Sequence, residues 1–130
     1  TDNHSVEERL SATIALGNMQ DNSVIPILKK MLNDEEPNIR WDSAIALAKF
    51  GDNSGKGIIT SLLDRKYYTQ FKEVDSEEEV QAILIAIEAS SIIPSDDFIV
   101  NLLKLATFDK NMKIRDHALK TLDRTYNRKI

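Results

Sequence analysis

Apolar residues recur along most of this chain at three- and four-residue spacing, the period of a helix and not of a strand. The clearest run is Ile39, Ser43, Ala46, Leu47 and Phe50, which falls on one face of a predicted helix. Pro37 suits its first turn, where a missing N–H costs nothing. The acidic run Asp34, Glu35 and Glu36 precedes it, at the positive end of the helix dipole. Small residues at 43, 44 and 46 admit a close neighbour, and Gly51 is placed to end the helix as a left-handed cap.

The same pattern occurs again. Glu8 to Asp21 aligns with Ile39 to Asp52 at a constant offset of 31, from Arg9 on Arg40 to Asp21 on Asp52. Ile14-Ala15-Leu16 meets Ile45-Ala46-Leu47 in the process. A further copy lies 75 residues on, where Asp109, Ile114 and Arg115 meet Asp34, Ile39 and Arg40. A weaker copy between them carries Val80, Ala82, Ile83, Ile85, Ala86 and Ile87 after an acidic start, and lacks the Arg. A second helix type precedes the later copies: Val24 to Leu32 aligns with Ile99 to Thr107 at the same offset of 75, and Ile58 to Leu63 is the middle equivalent. Two helix types, A then B, thus alternate in units of about 31 to 40 residues, within the range of helical solenoids.

The predicted layout is one domain over 1–130, with about seven helices. A lone B helix spans 5–20, started by a Ser5/Glu8 capping box, and a pair spans 22–51. A second pair spans 54–90, with an insertion near 66–74 and a Ser76/Glu79 capping box before its apolar B helix. The last pair spans 95–127. Because the first B helix has no A partner before it, the chain is expected to be the C-terminal part of a longer one.

Asp34 with Ile39-Arg40, Asp109 with Ile114-Arg115, and the Ala-Leu cores Ala15-Leu16 and Ala46-Leu47 together resemble HEAT repeats. The resemblance is in particular to the short bacterial and archaeal form also found in phycobilin lyases. It covers nearly the whole chain and implies an all-α, right-handed α-solenoid, a superhelix of antiparallel helix pairs. It also implies a ladder between repeats, in which turn Asp and helix-B Arg residues pair: Asp34, Arg40, Asp109 and Arg115, with Arg9 fitting the pattern. Val80 or Gln81 stands in the third slot, so the ladder is expected to be interrupted there. In the family the exposed side of helix B lines a concave surface. Here that side is expected to present Leu10, Ile14, Trp41, Asp42, Ile45 and Lys49, then Gln81, Ile85 and Glu88, then Asp116, His117, Lys120 and Arg124.

Composition narrows the function without naming it. Cysteine is absent, which removes disulfides, thiolate chemistry and cysteine metal sites, and is compatible with a cytoplasmic location. The net charge of −4 argues against a phosphate-binding surface, and no stretch is apolar enough to span a bilayer. His4 and His117 are too few and too far apart for a histidine metal cluster. The carboxylates gather at helix starts, where capping explains them. Gly51 to Gly57 looks a little like a phosphate loop. However, only three residues separate Gly51 from Gly55-Lys56, and neither Ser nor Thr follows the Lys. Tyr67, Tyr68 and Phe71 lie within five residues and are expected to fold over a helix end.

No catalytic residue, metal site or cofactor is therefore expected. The sequence points to a non-enzymatic interaction module that binds a protein or peptide on its concave face, with Trp41 as the central contact. Two rival readings come from the resemblance: an accessory subunit of a phycobilin lyase, and a HEAT-like relative of DNA-binding or DNA-glycosylase proteins. The latter needs a basic groove, and only the last helix is basic.

Overall fold

The helical period read from the sequence is realised as seven α-helices in the computed structural model, which describes residues 5–129. Among the described residues there is no strand. Helix α1 (Val6–Asn18) starts at a capping box, the Ser5 hydroxyl accepting from the Glu8 N–H at 3.1 Å and the Glu8 carboxylate from the Ser5 N–H at 3.3 Å. A 3-10 turn at Asn22–Val24 leads into α2 (Ile25–Met31), with Pro26 in the first turn, where it displaces no helical hydrogen bond. Helix α3 (Pro37–Lys49) begins on its proline and stops before Gly51, whose φ of 77° is the left-handed cap that a side chain would strain.

Helix α4 (Lys56–Leu62) is short, and the inserted segment after it forms a 3-10 helix at Arg65–Gln70. Then come α5 (Ser76–Ile92), a 3-10 turn at Asp96–Phe98, α6 (Ile99–Phe108) and α7 (Met112–Arg124). The 3-10 entry at 96–98 echoes the one at 22–24, so the structure repeats where the sequence does. One cap differs from expectation. The capping box of α5 is Asp75 with Glu78, not Ser76 with Glu79. A carboxylate is the stronger acceptor for a helix-end N–H, and Glu79 is left to hold Arg65.

The described residues fall into two compact units that divide between Ile59 and Thr60. In the first, α3 is central and packs against both α1 and α2. Val24, Leu28, Ala46 and Leu47 form the core there, with Leu16, Ile25, Met31, Leu32 and Phe50 packed around it. Each fully buried Leu contributes roughly 1.5–3 kcal/mol, which is where a seven-residue helix such as α2 finds its stability. In the second unit α7 packs on α6 and α5, burying Ile83, Ile87, Leu102, Leu105, Ile114 and Leu122. Tyr126 closes this unit: its hydroxyl donates to the Ser90 carbonyl at 2.9 Å and accepts from the Ser95 N–H at 3.2 Å.

Candidate functional site

Burial divides α3 into three faces. Ile39, Ser43, Ala46 and Leu47 are buried on one side, where Ala46 and Leu47 join Val24 and Leu28 in the core and Ala46 lies against Gly17 of α1. Trp41, Ala44 and Ala48 form a second buried face. The backbone at Gly55 lies so close to Ala44 that an added Cβ would sit 2.6 Å from the Ala44 Cβ. Asn38, Asp42, Ile45 and Lys49, at spacings of four, three and four, make the third face, which is open or half-open to solvent. The equivalent positions on α1, at the offset of 31, are Glu7, Ser11, Ile14 and Asn18, each open or half-open in turn.

This division corrects the expected surface at Trp41. Trp41 is only 8% exposed, so it is not a solvent-facing contact for a partner. Its equivalent, Leu10, is half-buried. The physical reason is register. At 3.6 residues per turn, position 41 lies roughly 70° round the helix from the middle of the 38, 42, 45, 49 stripe. It therefore joins the Ala44 and Ala48 side, where burial of a large indole is favourable. Ile14, 51% exposed, Asp42, Ile45 and Lys49 do lie on the open stripe. The sequence reading misses Ser11 and Asn38, which helical spacing from Ile14 and Asp42 would have found. In the second unit Gln81, Ile85 and Glu88 on α5 and Asp116, His117, Lys120 and Arg124 on α7 are open or half-open to solvent. Lys120 is paired with Asp116 at 3.0 Å.

Asp42 is the unusual member of the stripe. It is half-buried, and among the described residues no hydrogen bond or ion pair reaches its carboxylate. Burial raises its pKa, and the charge of Lys49, two turns on, only partly offsets that. A carboxylate held in this condition favours a partner that brings a positive charge or an N–H donor.

The Asp and Arg residues of the repeat have different roles from one another. The Arg9 guanidinium grips Asp34 with two hydrogen bonds, Nε to Oδ2 at 2.9 Å and Nη2 to Oδ1 at 3.2 Å, linking α1 to the turn before α3. Arg40 instead donates to the Asp34 main-chain carbonyl at 2.8 Å, and Arg115 treats Asp109 in the same way at 2.7 Å. The expected interruption at Val80 and Gln81 is filled from outside the repeat. Arg65, at the head of the inserted 3-10 helix, donates from Nε and Nη2 to both Asp109 oxygens, at 2.8 and 2.9 Å, and from Nη1 to Glu79 at 2.7 Å. Burial alone would raise Asp34 and Asp109. The guanidinium hydrogen bonds and the turn N–H of Glu36 or Asn111 outweigh it and hold both below the usual carboxylate range.

The remaining candidates are structural. The Tyr68 hydroxyl donates to the Leu62 carbonyl at 2.6 Å, and the ring is buried, with Tyr67 in edge contact with both Tyr68 and Phe71. The phosphate-loop look-alike is a helix stop followed by an Asp52 turn, the Asp52 carboxylate accepting from the Ser54 N–H at 2.8 Å. His4 lies outside the described residues, and among those described no group of His, Asp or Glu converges as metal ligands would. No helix among them is long and apolar enough to cross a membrane.

Compared with known proteins, residues 2–74 match the family model described as HEAT repeats, more than half of the 130-residue chain. The matched span runs from α1 through the inserted 3-10 helix, and nothing in it points specifically to phycobilin lyases. No curated protein and no solved structure gave a match.

Proposed function

The chain belongs to the HEAT-repeat family, an all-α solenoid fold commonly used as a protein-interaction scaffold, and on that premise we propose that it is a non-catalytic module that binds a protein or peptide segment along the open stripe of α1 and α3. Ile14 and Ile45 offer apolar contact there. Asp42 receives a cationic or N–H group, and Lys49 and Ser11 border the site. The observation that carries the reading is the Asp42 carboxylate, half-buried and without a side-chain partner among the described residues, set one turn from Ile45. A folded chain keeps such a group at a cost in stability, which a partner's charge would offset. Acidic and basic groups share the stripe, so it lacks the continuous positive potential that a nucleic acid requires.

Selection of a random peptide library on the immobilised chain tests this. Enriched peptides are expected to carry Lys or Arg next to an apolar residue. Asp42→Asn and Ile45→Asp are each expected to weaken the selected peptides about tenfold, while an exposed change elsewhere, Thr107→Asp, leaves them unaffected. Peptides that bind both stripe variants as tightly as the parent chain would overturn the assignment.

A further inference from the structure

The turn before α7 follows the plan of the turn before α3, with one residue added. Burial sets α6 on α2 at an offset of 74, Phe98 on Val24 and Leu102 on Leu28, and not at the 75 expected from the sequence. Asp109 and Ile114 do follow Asp34 and Ile39 at 75. Helix α6 therefore runs one residue further before its aspartate, and that residue, Phe108, is 81% exposed. Across the turn Met112 is 74% exposed, where the first unit has Pro37. Lys104, Lys110 and Lys113 stand exposed around the two, and none of them is in an ion pair among the described residues. The counterpart turn carries Asn33, Glu35 and Glu36, and it too is open at Asn33 and Glu35, although further helices of the chain follow it. The turn before α7 keeps its shape by other means: Arg65 grips Asp109, and Asn111 caps α7. Two bare apolar side chains on a well-held, basic tip are the mark of a contact surface.

We propose that the tip formed by Phe108, Lys110, Met112 and Lys113 docks on the open α1/α3 stripe of a second copy of this chain; the inference rests on the stripe being a peptide-binding site. The two surfaces are complementary in both terms. The stripe presents Ile14 and Ile45 beside the unpartnered Asp42 carboxylate, with Glu7 exposed towards its N-terminal end. It calls for a lysine next to an apolar residue, and the tip places Lys110 between Phe108 and Met112, with Lys113 beyond. Phe108 and Met112 then cover Ile14 and Ile45, Lys110 meets Asp42, and Lys113 points to Glu7. Lys49, at the other end of the stripe, repels the reversed arrangement and so fixes the direction. Because the tip and the stripe are different surfaces, the contact is head-to-tail. It leaves a stripe free on one copy and a tip free on the other, so further copies can add. The contact is also small, so association is weak and needs high concentration.

Sedimentation velocity of the intact chain from about 10 μM to about 1 mM tests this. The mean sedimentation coefficient is expected to rise with concentration without reaching a dimer plateau. Phe108→Asp, which removes the tip, and Asp42→Lys, which reverses the stripe, are each expected to weaken self-association at least about tenfold. Mixed together, the two variants should form a 1:1 dimer and stop there, since one keeps a working stripe and the other a working tip. That result requires both variants to be folded, so misfolding cannot imitate it. A chain that stays monomeric throughout would overturn the proposal, as would association that survives Phe108→Asp or a mixture that does not pair. So would a monomeric chain that binds phosphatidylserine vesicles through Phe108, which would give the tip to a lipid surface. Library-selected peptides that still require Asp42 and Ile45 on a monomeric chain would leave the stripe reading standing and remove this inference alone.

Discussion

At Asp42 stability and binding pull in opposite directions. Burial raises the carboxyl's folded pKa, so the protonated form is favoured in the folded state. The penalty on the charged form is therefore absent below the unfolded value near pH 4 and develops as the pH rises through the raised folded value. Asp42→Asn is expected to raise the melting temperature by a few degrees at pH 7, and the gain should disappear below about pH 4. Thermal melts across that range check it. Arg65 has the opposite character. It holds Asp109, almost wholly buried, and Glu79 together, so Arg65→Ala leaves a buried carboxylate without its cation. A loss of about 3 kcal/mol in urea unfolding is expected. Replacing Lys120, an exposed partner of Asp116, is expected to change stability by less than about 0.5 kcal/mol.

The helices themselves are largely legible in the sequence because each is written with its own punctuation. Pro37, Gly51, the Ser5/Glu8 box and the 31-residue echo suffice to place α1 to α3. What escapes is sideways information. A three-sided helix shows apolar residues at nearly every angle, so periodicity alone does not separate the Trp41 face from the Ile45 stripe. The role of Arg65 escapes because its partner is 44 residues away in sequence and it lies outside the repeat. A signal is nevertheless present: Asp109 keeps its acidic turn although the helix-B Arg of the preceding copy is missing. The glycines after α3 give a further check at this scale. Gly55→Ala drives a Cβ into Ala44 and is expected to destabilise by about 1–3 kcal/mol. Gly57→Ala, on α4 with open space at its Cβ, is expected to stabilise by about 0.5–1 kcal/mol. A phosphate-cradling loop would predict no such difference in the free protein.

Across the whole molecule, acid sensitivity is written into the two gripped aspartates, one in each unit. Both Asp34 and Asp109 titrate below the ordinary range when folded. Their contribution is complete above about pH 4 and is lost as the pH falls through their lowered folded values. Unfolding free energy is expected to fall steeply below about pH 4 in the parent chain and more gently in Asp34→Asn or Asp109→Asn, as read by urea titrations at stepped pH. The repeat thus keeps its charged residues on two separate tasks. Those in the turns tie elements together inside each unit, Arg9 to Asp34 in the first and Arg65 to Asp109 in the second, and those on the stripe are the ones proposed to meet a partner. The most direct measurement of that separation is methyl-resolved NMR of the chain titrated with a library-selected peptide. The account predicts that the methyls of Ile14 and Ile45 shift together with saturation, while those of Ala44 and Ala48 on the Trp41 face stay in place. Shifts confined to the Trp41 face, or none on α1 and α3, would contradict it.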